Sequence, residues 1–136
     1  MYNNLEVKIH TNLMKNMTNE SILYWVCRAI DTSGSGKTII NRKTFCTFFN
    51  ISERTFYRYL NYNIENNLLT LANTNKGDYT FYYSGLNKLC KQFNLNEQRP
   101  LGVSGYVLTS NLKTYLKTLI ELLIISKQKK ARIYLT

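Results

Sequence analysis

Histidine and proline occur once each in this sequence, and only eight of its 136 residues are acidic. A single histidine, His10, leaves no imidazole cluster for a metal and no partner base for a nucleophile. Eleven tyrosines are present, without the histidine pair or arginine–histidine framework that a tyrosine nucleophile works with. Cys27, Cys46 and Cys90 are odd in number and far apart, with no Cys-x-x-Cys, which is neither a disulfide framework nor a zinc set. No enzymatic activity, cofactor or metal is expected. The longest apolar run, Leu122–Ile125 after Leu119 and Ile120, is far short of the ~20 residues of a membrane span. The N-terminal residues hold no apolar core flanked by a cleavage site. A reducing, cytoplasmic setting away from membranes is therefore expected.

What the chain does have is a globular composition, 44% hydrophobic and 13% aromatic against 19% charged. A chain of this length buries roughly two-thirds of its unfolded surface, enough for a core without staples. One proline and six glycines leave little room for long linkers. Lysine and arginine outnumber acidic residues 18 to 8, a formal net charge of +10. A field of that sign favours a polyanionic partner, nucleic acid or an anionic membrane face, and nucleic acid is the stronger expectation for a small aromatic-rich domain. No small-molecule ligand is evident.

Leu5, Val7 and Ile9 alternate, as in a short strand or a loose segment, within an N-terminal stretch over 1–18. Thr18 or Asn19 caps a helix over 19–31, with Glu20 in its first turn and Ile22, Trp25, Val26, Ala29 and Ile30 on its apolar side. Residues 37–40 are β-branched and extended. Asn41 caps a helix over 42–49, with Phe45, Cys46 and Phe49 inward. Ser52 caps a third helix reaching about Asn66, with Phe56, Leu60 and Ile64 inward. Asn67 ends that helix in the left-handed conformation, which asparagine tolerates better than most residues. Strands over 68–74 and 79–83 flank a hairpin turn at Asn75-Lys76-Gly77-Asp78. Tyr79, Phe81, Tyr82 and Tyr83 read as hairpin packing, or as a stacking platform for single strands. A short helix over 86–93 and a loop through Pro100 and Gly105 lead to Ser110, which caps a long final helix.

Residues 42–61, RKTFCTFFNISERTFYRYLN, resemble the helix-turn-helix of DNA-binding proteins. Cys46 lies where that family keeps a small residue, because the two helices cross closest there. Asn50 lies at the turn position usually held by glycine, Ile51 plugs the turn, and Phe56 is the first inward residue of the second helix. With the preceding helix and strand and the following hairpin, 19–85 resembles a winged helix. The resemblance implies that the second helix of the motif enters the major groove and the hairpin tip rests on backbone or minor groove. Carried onto this chain, it makes Arg54, Thr55, Tyr57, Arg58 and Asn61 base-reading residues. Lys37, Arg42, Lys43, Ser52 and Lys76 become phosphate contacts. Glu53 is unfavourable beside DNA unless it accepts from cytosine or pairs with Arg54 or Tyr57.

Gly34-Ser35-Gly36-Lys37-Thr38 ends like a phosphate-binding loop. The motif requires Gly-x-x-x-x-Gly-Lys-Ser/Thr between a buried strand and a helix. Here Asp31 stands where the first glycine belongs, a helix precedes, and β-branched residues follow. A turn feeding the strand of a winged helix accounts for these residues better.

Leucines at 112, 116, 119 and 123 fit the seam of a helix over 110–128 that packs on another helix. Leu112, Leu116, Leu119 and Leu123 are expected to join a homodimer, or to pack back on the same chain. Lys127, Lys129, Lys130 and Arg132 follow as a basic cluster. The expected fold is mostly α with a small β-hairpin wing: a winged helix-turn-helix over 19–85, then an extension over 86–136 ending in the long helix. The expected function is sequence-specific binding of double-stranded DNA, as a transcriptional regulator. A replication or partition protein of a plasmid or virus, a protein-interaction module, and a nucleotide-binding protein are the alternatives.

Overall fold

A computed structural model describes residues 5–95 and 105–119. The chain is a helix-rich α/β structure with two small antiparallel sheets. Strand β1 (Glu6–Ile9) leads into the short helix α1 (Thr11–Lys15), which His10 caps by accepting from the Leu13 N–H at 2.9 Å. A 3₁₀ turn at Asn19–Ser21 opens helix α2 (Ile22–Ile30). Then come β2 (Lys37–Asn41), α3 (Arg42–Phe49), α4 (Glu53–Glu65), β3 (Leu69–Asn75), β4 (Asp78–Tyr83) and α5 (Leu86–Gln92). Strand β5 (Gly105–Leu108), a 3₁₀ turn at Thr109–Asn111 and helix α6 over 112–119 close the described chain.

Helix α2 is the centre. Its sequence ILYWVCRAI has almost no polar face, and Ile22, Leu23, Tyr24, Trp25, Val26, Cys27 and Ala29 are all buried. The expected amphipathic stripe is thus a helix apolar nearly all round, which must be covered on every side. Strands β1, β2 and β4 and helix α4 provide that cover. Polar ties set the spacing, since an unpaired buried hydroxyl costs about 1–3 kcal/mol. The Thr38 hydroxyl donates to the Cys27 carbonyl at 2.9 Å, and the Tyr24 hydroxyl donates to the Ser84 carbonyl at 2.7 Å. Burial pushes the Tyr24 hydroxyl up to about 12, against the opposing Arg28 charge, so it stays a donor.

Sheet β2–β4–β3 sets Lys37 opposite Tyr82 at one end and Asn41 opposite Asp78 at the other, with an irregularity between Leu71 and Asn73. Its tip turns through Lys76 and Gly77, at φ 50° and 86°, the positive pair that a two-residue hairpin loop requires. Tyr79 and Phe81 are buried under the sheet, while Tyr82 is 49% exposed on the other face. A multi-aromatic stacking surface is therefore not assembled on the hairpin.

Four readings change. The stretch from Gly105 is a strand, not a loop, because its Val107 and Gly105 register against Val7 and Ile9 of β1. Ser110 lies inside a 3₁₀ turn rather than capping a helix. On α4, Tyr59 and Asn63 are buried and Ile64 is 37% exposed, since α4 turns the 56–59–60–63 face towards α2. Leu112, Leu116 and Leu119, expected at a dimer interface, lie in the core of this chain with β1, α2 and α4 residues. Leu123, Pro100, the Lys127–Arg132 cluster and the helix beyond 119 lie outside the described residues. Residues from all three expected segments share the one core.

Leu116 is 1% exposed, so Leu116→Ala should destabilise the folded chain by about 2–4 kcal/mol. Urea unfolding followed at several protein concentrations checks this. A midpoint that does not move with concentration places the leucine in its own core, and one that rises with concentration places it between chains.

Candidate nucleic-acid interface

The surface around α4 begins with a cap and a turn. Ser52 precedes α4 in extended conformation, and its hydroxyl accepts from the Thr55 N–H at 3.1 Å while donating to the Thr55 hydroxyl at 3.0 Å. Asn41 does the same for α3, accepting from the Thr44 N–H at 2.9 Å. Between the helices Asn50 sits at φ 51°, ψ 54°, a left-handed position where a β-branched side chain would be strained. Its N–H and that of Ile51 close the end of α3 on the Thr47 and Cys46 carbonyls. Ser52 and Thr55 are thus committed to the cap.

Buried Phe56, Tyr59, Leu60 and Asn63 fix the rotation of α4. The Asn63 amide donates to the Glu20 carbonyl at 2.8 Å, locking the last turn of α4 to the 3₁₀ turn before α2. Positions 54, 57, 58 and 61, three and four apart, then share the outward stripe. Arg54, Tyr57, Arg58 and Asn61 are all exposed. Arg54 and Asn61 make no hydrogen bond or ion pair among the described residues. Arg58 lies 3.4 Å from a Glu20 carboxylate oxygen, on a side chain 65% exposed. An open concavity of about 680 Å³ runs along this stripe, with Glu20 and Glu65 at its margins.

Tyr57 is differently placed. Its hydroxyl accepts from Arg42 at 2.7 Å and donates to Glu53 at 3.3 Å, while Arg42 Nε pairs with Glu53 at 3.3 Å. Hydrogen bonding to Tyr79, then burial, raises the Tyr57 hydroxyl above its ordinary value. Arg42's own hydrogen bond to the Tyr79 hydroxyl, reinforced by Glu53 against the opposing effect of burial, raises Arg42 and keeps it charged. Glu53 therefore joins the start of α3 to the start of α4. The Arg42 N–H also bonds the Gly77 carbonyl at 2.9 Å, and the Asn41 amide donates to Asp78 at 2.8 Å, so the hairpin tip is tied to α3.

Of the residues expected at phosphates, Lys43 and Lys76 are exposed near this junction, and Arg42 is engaged within it. Lys37 lies at the opposite end of the sheet from the tip, opposite Tyr82. The structure does not bring it to the α4 face. Two further cations lie beside this surface. Lys113 and Lys117, exposed on α6, line a second concavity with Asn50, Ser52 and Arg58. Their four-residue spacing is visible in the sequence, but their place beside the α3–α4 turn depends on how α6 meets the core.

The GSGKT segment is a closed loop. One Asp31 carboxylate oxygen accepts from the Gly36 N–H at 2.7 Å and the Tyr83 hydroxyl at 2.7 Å; the other accepts from Ser33 at 2.9 Å and Ser35 at 3.0 Å. Gly34 and Gly36 hold φ 72° and 84°, as the tight path demands. A side-chain carboxylate thus fills the place that a phosphate would take, and the bonding loop ends in β2 rather than a helix. Among the described residues no group of His, Cys, Asp and Glu could hold a metal, and no helix is long and apolar enough to cross a membrane. Compared with family models, curated proteins and solved structures, the chain matches none.

Burial alone would raise the Asp31 carboxyl, but the bonds from Tyr83, Gly36, Ser33 and Ser35 outweigh it and hold the group well below the usual carboxylate range. Its stabilising effect is present above the unfolded value of about 3.9 and is lost as pH falls through the folded value. Asp31→Asn should therefore lower the melting temperature at neutral pH, and the gap to wild type should narrow progressively as pH falls below about 4. Melts at a series of pH values read this directly. A gap independent of pH would show that the loop uses the shape of Asp31 and not its charge.

Proposed function

We propose that residues 19–85 form a winged helix-turn-helix that binds double-stranded DNA, with α4 in the major groove and the β3–β4 tip against the backbone. The observation that carries this reading is the outward stripe of α4, where Arg54 and Asn61 stand exposed and without partners among the described residues, beside exposed Arg58. Arginine forks onto guanine O6 and N7, and asparagine onto adenine N6 and N7, so these side chains suit base-edge reading. Three features support the same reading: the helix–strand–helix–helix–strand–strand order of α2 to β4, the left-handed Asn50 turn, and the net charge of +10.

Roles divide within the face. Arg54, Arg58 and Asn61 read bases, with Arg58 exchanging Glu20 for DNA. Lys43 and Lys76 meet phosphates. Arg42, Glu53 and Tyr57 hold α3, α4 and the tip in register, which gives Glu53 a structural reason to stand beside a polyanion. Transcription regulation is the role that sequence-specific binding of this kind serves, and replication of a mobile element uses the same chemistry.

Binding to duplex DNA across a salt series, followed by selection of a preferred sequence, tests the reading. The affinity should fall steeply with salt as condensed cations are released. Arg54→Ala should relax preference at one base pair by about 1–3 kcal/mol, whereas Lys76→Ala should weaken all sequences alike and flatten the salt slope by about one. Absent or salt-insensitive binding by the wild type overturns the proposal. Identical behaviour of the two variants overturns the placement of α4.

A further inference from the structure

We infer that Lys113 and Lys117 of α6 form a second phosphate-binding edge, so that the protein grips both backbones flanking the major groove. The inference rests on the DNA reading above and adds to it an element outside the winged helix. Lys113 and Lys117 are exposed, lie four residues apart on one face of α6, and form no ion pair among the described residues. They share a concavity with Arg58, Asn50 and Ser52, so it holds three cations against one carboxylate, Glu20. Glu20 is already paired with Arg58 at 3.4 Å.

This concavity is one part of a longer one. A neighbouring hollow, lined by Arg42, Lys43 and Glu53, shares Asn50 and Ile51 with it. The surface therefore runs along α3, from Lys43 and the tip-bound Arg42 at one end to Lys113 and Lys117 at the other. The eight residues of α3 span about 12 Å at 1.5 Å each, close to the ~12 Å width of the major groove. Cations beside the two ends of α3, with the start of α4 between them, can then face phosphates of opposite strands. Burial of Leu112, Leu116 and Leu119 in the core holds α6 rigidly enough to keep the spacing.

The probe is a labelled duplex of random sequence, titrated with the full chain over a salt series. Lys113→Ala/Lys117→Ala should keep the wild-type melting temperature and lower the slope of log affinity against log salt by about two. The control is Lys88→Ala/Lys91→Ala on α5, which removes the same charge. That helix packs by the far end of α4, where Gln92 donates to the Asn66 carbonyl at 2.5 Å. Its slope should match wild type, and Lys113→Arg/Lys117→Arg should restore the wild-type slope. If the α6 variant keeps the wild-type slope, or both alanine pairs lower it equally, the second edge is overturned while the DNA reading stands. If the wild type itself does not bind, both fall together.

Discussion

A helix with no polar face cannot lie on a surface, and this is the condition from which the rest of the structure follows. Six consecutive residues of α2, Ile22 to Cys27, are buried. Burying side chains of that size is worth roughly 1.5–3 kcal/mol each, so an arrangement leaving one side of α2 bare would forfeit several of them. The β1–β5 pair, the β2–β4–β3 sheet and α4 are the covers that the chain supplies. Covering α2 with the 56–59–60–63 face of α4 leaves the 54–57–58–61 stripe outward by helix geometry alone. The candidate DNA face is thus the reverse side of a packing requirement.

Apolar cover alone would let α4 rotate or slide. Buried hydrogen bonds remove that freedom, because each is favourable in one geometry and costly when broken. Asn63 bonds the Glu20 carbonyl across to the turn before α2 and the Tyr59 carbonyl within its own helix. Thr38 fixes β2 to α2, and the Arg42–Glu53–Tyr57 network fixes α3 to α4 at the exposed end. These contacts act at both ends of α4.

Local structure was largely legible in the sequence. Asn41 and Ser52 as caps, Asn50 and Asn67 as left-handed residues, and the Lys76-Gly77 turn all follow from chemistry within a few residues. What was not legible depended on distant partners. The Gly105–Leu108 strand carries little pattern of its own and exists by pairing with β1 about a hundred positions earlier. Ile64 fitted an inward stripe at spacings of four, but the helix is turned by Tyr59 and Asn63, and a buried asparagine gives no apolar signal. The leucine seam of α6 is real, yet periodicity states only that a face is covered, not whether the cover comes from the same chain. Lys113 and Lys117 were missed for the same reason: their stripe is local and its neighbour is not.

The two segments that invite an anion differ in whether their capacity is already met. At the GSGKT loop, two hydroxyls from Ser33 and Ser35, the Tyr83 hydroxyl and the Gly36 N–H all converge on Asp31. An incoming phosphate would have to displace a carboxylate carried on the same loop, whose effective concentration no free nucleotide matches. Around α4 the balance is reversed. Arg54, Asn61, Lys43, Lys113 and Lys117 are exposed, and the carboxylates Glu20 and Glu53 there are held by Arg58 and Arg42. Unmet positive charge on a rigid surface is solvated by water and small ions, and pairing it with a polyanion would release the cations condensed on that polyanion. On the proposed reading the anion is an extended one, lying across α3 and α4 rather than seated in a loop.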